Sequence, residues 1–410
     1  FGLDLHHRFS DTVRRWWPQK GTADYYAALA GHDRGRLTFS DGNQTIRINS
    51  LGFLHYTLVS LGTPNVTFLV ALDTGSDLFW VPCDCTSCAP DFDFNIYSPN
   101  MSSTSQTVPC NNSFCQGKCS VGSQCPYNVE YVSEDTSSSG FLVEDLLYLT
   151  TEDKVVKAPI VFGCGRVQTG SFLDSAAPNG LFGLGMDKVS VPSTLTSSGI
   201  TSNSFSMCFG RDGIGRISFG DNGSSDQEET PFNVKSTYNI SVTGIGGGNS
   251  RNVGFTALVD SGTSFTYLAD PAYTSLSKSF NAQVNDKPDS SIPFENCYHI
   301  SSNETRVQLP DLSFTTKGGG KFPINDPIVI ITDEQQHQYI YCLAVIKSTK
   351  LNIIGQNFLT GLRVVFDRER MILGWKKFNC DVEDSNPLPV DPRNNPPSTA
   401  FGPKSYTPEA

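Results

Sequence analysis

Histidine is scarce in this chain. Six occur in 410 residues, and three of them (His6, His7 and His32) fall within the first 32. That leaves little imidazole for metal centres or His-dependent nucleophiles. Charge is sparse too, at 17%, and unbalanced: 30 Lys and Arg face 41 Asp and Glu, a formal net charge of −11. A field of that sign repels phosphate backbones, so nucleic acid is not expected as a partner. No run approaches the roughly 18–20 consecutive apolar residues of a membrane-spanning helix. There is no G-x-S-x-G, no H-E-x-x-H and no G-x-x-x-x-G-K-[ST]. The runs Gly246–Gly248 and Gly318–Gly320 have no following Lys-Ser/Thr and read as hairpin loops.

What is present is punctuation and cysteine. Thirty-six Gly and 24 Pro are spread along the chain, which favours short strands and turns over long helices. A hydrophobic content of 38% is that of a globular protein. The twelve Cys are even in number, and seven lie between Cys83 and Cys125. Sequons occur at Asn43, Asn65, Asn100, Asn111, Asn222, Asn239 and Asn303. Seven sequons beside twelve Cys point to an oxidising, secretory route. The chain starts at Phe1 without Met or an apolar leader, so a signal peptide is expected to have been removed.

Residues 1–50 stand apart, with seven Arg or Lys against five Asp. They read as a basic arm ahead of an acidic body, a docked prosegment or a plain flexible terminus. From Leu51 the pattern is strand-like, as in Phe53–Leu61, Val66–Leu72 and Phe141–Leu149. Pro271–Phe280 is a helix candidate, opened by Pro271 and capped by Asp270. The last 30 residues contain seven Pro and form a solvated tail.

The most informative feature is an internal repeat. Phe68–Pro82 reads FLVALDTGSDLFWVP, and Phe255–Asp270 reads FTALVDSGTSFTYLAD. Each is an apolar strand ending in Asp, then a hydroxyl residue, then Gly, then a second apolar run. The two Asp are 187 residues apart, and each half carries a later apolar-apolar-Gly segment, at Leu181–Gly183 and Ile353–Gly355. The expected architecture is all-β and bilobal, with lobes at 51–229 and 230–380 and a tail at 381–410. If the lobes are related by an approximate two-fold axis, Asp73 and Asp260 meet between them. Adjacent carboxyls cannot both ionise easily and share a proton. One then serves as base to a bound water while the other polarises a carbonyl, which hydrolyses an amide without metal or cofactor. A carboxylate pair also serves glycosidases, but that reading leaves the duplicated loops unexplained.

These stretches resemble the pepsin-type aspartic proteases, and more closely their plant nepenthesin-like members. The resemblance rests on LDTGSDLFWVPC (Leu72–Cys83), GLFGLG (Gly180–Gly185), VDSGTSFTYL (Val259–Leu268) and NIIGQNFLTGLRVVFDRERMILGW (Asn352–Trp375). It covers most of the chain, from about Leu51 to Cys380. It implies that Gly183 and Gly355 cross close to the Asp strands. It implies that Thr74 and Ser261 interlock across the lobes, and that Ser76 and Thr263 bond the outer carboxylate oxygens. Gly75 and Gly262 complete the two loops. Tyr131 matches the tyrosine of a flap over the cleft, and Trp80, seven residues after Asp73, its support. The flap tip at Ser133–Ser139 departs from the family in being Ser-rich, with Glu134 and Asp135.

The resemblance also bears on the cysteines and the ends. Cys83, Cys85 and Cys88 are spaced closely enough for a metal, but the secretory signals favour disulfides. The full set adds Cys110, Cys115, Cys119, Cys125, Cys164, Cys208, Cys297, Cys342 and Cys380. Of their pairings only Cys297–Cys342 is implied, by analogy with the family's second-lobe bridge. DLHHRFS at Asp4–Ser10 resembles the start of a plant prosegment, expected to cover the acidic cleft. Several plant relatives carry a GPI anchor after a polar spacer such as this tail, which would be the chain's link to a membrane. The expectation is a secreted or cell-surface monomer, an aspartic endopeptidase acting on extended peptides at acidic pH. Its rival is a binding or inhibitor protein that kept the fold and lost turnover.

Overall fold

Strands form where β-branched and aromatic residues run between Gly, Pro and Asn breaks. The computed structural model describes residues 2–6 and, between 55 and 380, all but 90–94, 132–134, 151–154, 174–176, 178, 211–213, 234–235, 248–251, 290–294, 300–308 and 334–337. The basic region at 7–54 with Asn43, the flap-tip residues Ser133 and Glu134, Asn303 and the tail after Cys380 therefore lie outside the described residues.

The described chain is all-β with two related halves. In the first, Val66–Asp73 pairs antiparallel with Tyr56–Leu61 and parallel with Leu181–Gly183. In the second, Phe255–Val259 pairs antiparallel with Asn239–Gly246 and parallel with Ile353–Ile354. The last six residues of Val66–Asp73 are all buried, as a strand covered on both faces requires. The strand that follows each loop returns across the same partner, so that Trp80 faces Leu181 and Tyr267 faces Ile353.

One fourteen-stranded sheet runs through both halves. Its bridge is the pairing of Ser204–Phe209 with Leu362–Asp367, so a late strand sits beside an early one. Phe205 and Phe366 stack across it, with ring centroids 4.7 Å apart. Gly2–His6 joins this sheet by pairing with Ile214–Phe219, and Leu3 is buried in the core. The described start of the basic region is thus a sheet strand. A seven-stranded and a four-stranded sheet complete the second half.

Six disulfides use all twelve Cys: Cys83–Cys164, Cys85–Cys88, Cys110–Cys119, Cys115–Cys125, Cys208–Cys380 and Cys297–Cys342. Cys297 and Cys342 are direct partners in an antiparallel ladder. The helix expected at Pro271–Phe280 spans Ala272–Asn281, and Pro271 is its cap residue. Asp270 still contributes, accepting from the Thr274 N–H at 3.2 Å and the Thr274 hydroxyl at 2.5 Å. Gly319, at φ +83°, turns the hairpin between Leu312–Thr316 and Lys321–Ile324.

Candidate active site

Two strands deliver two carboxylates to one place. Asp73 ends its strand and is fully buried; Asp260 follows Val259 and is 4% exposed. Each carboxylate is held the same way. Gly75 N–H donates to Asp73 Oδ1 at 2.8 Å, and the Ser76 hydroxyl to Oδ2 at 2.7 Å. Gly262 N–H donates to Asp260 Oδ1 at 2.8 Å, and the Thr263 hydroxyl to Oδ2 at 2.6 Å. Two donors on each acid fix its orientation.

The loops interlock. The Thr74 hydroxyl donates to Val259 O at 3.0 Å and accepts from Ser261 N–H at 2.9 Å. Reciprocally, the Ser261 hydroxyl donates to Leu72 O at 3.0 Å and accepts from Thr74 N–H at 3.1 Å. All four bonds are buried, where a lost partner is costly. The glycines permit this approach. A Cβ on Gly75 would lie 2.8 Å from Asp260 Cγ, and one on Gly262 would lie 2.3 Å from Asp73 Oδ1. Gly183 and Gly355 have no such room either: a Cβ there would meet Asp77 O at 2.2 Å and Phe265 O at 2.1 Å.

The pair opens into a cleft of about 800 Å³. A hairpin of Pro126–Glu130 with Ser137–Thr150 borders it. Tyr131 ends that hairpin and accepts a 2.9 Å hydrogen bond from the Trp80 indole N–H. Both rings pack edge-on against Phe172, at 4.9 Å. Burial, with the nearby Asp73 charge adding, holds the Tyr131 phenol well above its ordinary value. It is therefore a neutral donor at any pH of interest. Among the described residues the cleft lining gathers Asp73, Asp77, Glu130, Asp187 and Asp260 against one cation, Lys350.

Comparisons with known proteins agree with this geometry. Family profiles described as Xylanase inhibitor N-terminal and Xylanase inhibitor C-terminal match residues 55–221 and 239–377. "Aspartyl protease family protein 1" of Arabidopsis thaliana is 51% identical over all of this chain and 87% of its own length. "Aspartic proteinase-like protein 1" of the same plant is 40% identical over 98% of this chain and 84% of its own. "Aspartic proteinase nepenthesin-2" of Nepenthes gracilis is 27% identical over 78% and 77%. The chain belongs to the pepsin-like aspartic protease family.

Several residues of this pepsin-like site carry no signal in the sequence motifs. Tyr238 reaches across from the second half, its hydroxyl donating to Leu184 O at 2.7 Å. Leu184 N–H in turn donates to Asp73 O at 2.9 Å. His55 occupies the related position in the first half: its carbonyl accepts from Leu72 N–H, as that of Tyr238 accepts from Val259 N–H. The buried His55 ring hydrogen-bonds the side-chain amide of Gln356 and packs against Phe209 at 4.5 Å. Arg368 donates to Met186 O at 3.1 Å and to the Ser193 hydroxyl at 2.6 Å. Burial pushes the Asp77 carboxyl up, with the Asp187 charge adding, against the backbone N–H of Asp187 and the Arg368 charge.

The sequons separate by position. Asn65, Asn100 and Asn111 are exposed, the side-chain oxygen of Asn222 is buried, and Asn239 lies on the cleft wall.

Proposed function

We propose that this chain is an aspartic endopeptidase that cuts extended peptides at acidic pH. The observation that carries the reading is the matched pair of carboxylates, each oriented by a glycine N–H and a hydroxyl, lining a cleft of about 800 Å³. A water between Asp73 and Asp260 gives a proton to the ionised acid and attacks the scissile carbonyl. The protonated acid donates to the carbonyl oxygen, and the leaving nitrogen is protonated as the tetrahedral species collapses. Thr74 and Ser261 hold the two loops in register, while Tyr131, buttressed by Trp80, closes over the peptide. The site needs no cofactor.

The twelve bridged Cys and the sequons support a secretory route to the cell surface or beyond, with a lipid anchor on the tail as the means of attachment. The acidic cleft supports electrostatic cover by the basic N-terminal region, released as carboxylates protonate. Tight binding of that segment to the isolated body at low pH would count against this cover.

The deciding experiment compares wild type with Asp73→Asn and Asp260→Asn on a denatured protein across pH 2–6, with and without pepstatin. Pepstatin-sensitive cleavage lost in both variants supports the reading. The family description, worded for xylanase inhibitors, favours a second reading: a binding protein without turnover. A folded chain that cleaves nothing after removal of its N-terminal region would leave that reading standing.

A further inference from the structure

Asn239 heads a sequon, Asn239-Ile240-Ser241, on the wall of the cleft. It opens the strand Asn239–Gly246, directly opposite Leu258, two residues before Asp260. Ile240 and Val242 are buried, so Asn239 and Ser241 share the outer face. Thr237, Thr256 and Leu258 line the cleft beside it. Its amide is held in one plane. Asn233 Nδ2 donates to Asn239 Oδ1 at 2.7 Å, and the Ser241 hydroxyl donates to Asn233 Oδ1 at 2.7 Å. Among the described residues, Asn239 Nδ2 has no hydrogen-bond partner, so the oriented amide presents that nitrogen for substitution without breaking its contact to Asn233.

We infer that Asn239 carries an N-linked glycan that stands at the cleft and admits flexible peptides while excluding folded proteins. The inference rests on the protease reading. Attachment joins Asn239 Nδ2 to C1 of an oligosaccharide carried on a lipid diphosphate. The C1–O bond to phosphate breaks, the lipid diphosphate leaves, and one amide proton is lost; nothing is oxidised or reduced. Oδ1 keeps its bond from Asn233, so the first sugar projects from the other side of the fixed amide. Sequons at the exposed Asn65, Asn100 and Asn111 lack this consequence, because none of them lines the cleft.

The test produces the full chain in a secretory eukaryotic host, as wild type, Ser241→Ala and Ser241→Thr. Ser241→Ala abolishes the sequon, whereas Ser241→Thr keeps it. Occupancy of Asn239 is read by peptide mass after peptide N-glycosidase treatment in heavy-oxygen water. Cleavage is read as the ratio of kcat/KM on a folded protein to kcat/KM on an octapeptide. The expected result is a glycan on Asn239 in wild type and Ser241→Thr. The ratio should rise by about fivefold or more in Ser241→Ala and stay at the wild-type value in Ser241→Thr. An unoccupied Asn239, or a ratio that Ser241→Ala leaves unchanged, overturns the inference. A wild type that cleaves neither substrate fails the protease reading and takes the gate with it, even if mass shows the glycan in place.

Discussion

Replacing Gly262 by Ala adds one methyl group, and the structure says where it goes. The new Cβ lies 2.3 Å from Asp73 Oδ1 and 3.1 Å from Asp260 Oδ1. A carbon and an oxygen settle at roughly 3.5 Å, so the Asp73 carboxylate must retreat by about 1 Å. Gly262 is not in the left-handed region of backbone space, so alanine brings no φ strain and the effect is steric. The retreat pulls Asp73 off the Gly75 N–H and the Ser76 hydroxyl, which hold it at 2.8 and 2.7 Å. A misplacement of about 1 Å at reacting groups costs about a hundredfold in rate, near 2.7 kcal/mol of barrier. The expectation is a kcat down by about two orders of magnitude with KM within about threefold of wild type. The assay is steady-state cleavage of a quenched fluorescent peptide at acidic pH, with thermal unfolding as the check on the fold. Gly254→Ala is the control, because a Cβ there meets nothing within 4 Å. A Gly262→Ala enzyme that keeps its kcat within about twofold refutes the reasoning: the second loop would then not set the position of Asp73.

Other perturbations follow from the same geometry. Tyr131→Phe leaves the Trp80 indole N–H without its 2.9 Å acceptor, at a cost of about 1–3 kcal/mol. Peptide KM should rise and hydrogen exchange quicken across 126–131 and 135–141, and unchanged exchange there would show that the bond does not hold the hairpin. Asp77→Asn keeps the acceptor that receives the Asp187 N–H at 2.8 Å but removes a carboxyl whose folded pKa is raised by burial. The wild-type folded state binds that proton more tightly than the unfolded chain, so its burial penalty is absent below the ordinary carboxylate pKa and full above the raised one. The variant's Tm should therefore gain on wild type as pH rises from about 3 to 7; a constant difference would contradict this. Replacing Cys208 and Cys380 by Ser opens a crosslink spanning 172 residues, worth about 5 kcal/mol in the chain-entropy account. Denaturant unfolding should show most of that loss, and a change below about 1 kcal/mol would mean the sheet alone holds that end.

The repeat made the centre of the site legible. An apolar strand, an Asp, a hydroxyl and a Gly, written twice, are enough to bring out Asp73 and Asp260, while the crossing of Thr74 and Ser261 came from the family resemblance. The surrounding clamps were hidden for a geometric reason. His55 lies 18 residues before Asp73, and Tyr238 lies 22 before Asp260. Their equivalence is therefore masked by hairpins of unequal length and appears only when the strands pair. Their chemistry differs as well: one donates a phenol hydroxyl to a carbonyl, while the other meets an amide with an imidazole. Arg368 and Asp77 converge from opposite ends of the chain, which no local pattern encodes. The secretory signals pointed to disulfides but not that Cys110 pairs with Cys119 and Cys115 with Cys125, because bridge choice depends on the fold of the loop between them. The helix start moved by one residue, the usual reach of an end effect.

The crossed hydroxyls have one further consequence. Thr74 completes the backbone hydrogen bonding of the second loop, and Ser261 that of the first. Neither half therefore owns a finished centre, and on the protease reading turnover becomes a gauge of how the halves are seated. A heated or chemically stressed sample should lose activity when the halves part, before either one melts. Inactivation would then time an opening event that circular dichroism, which reports the strands, sees only later.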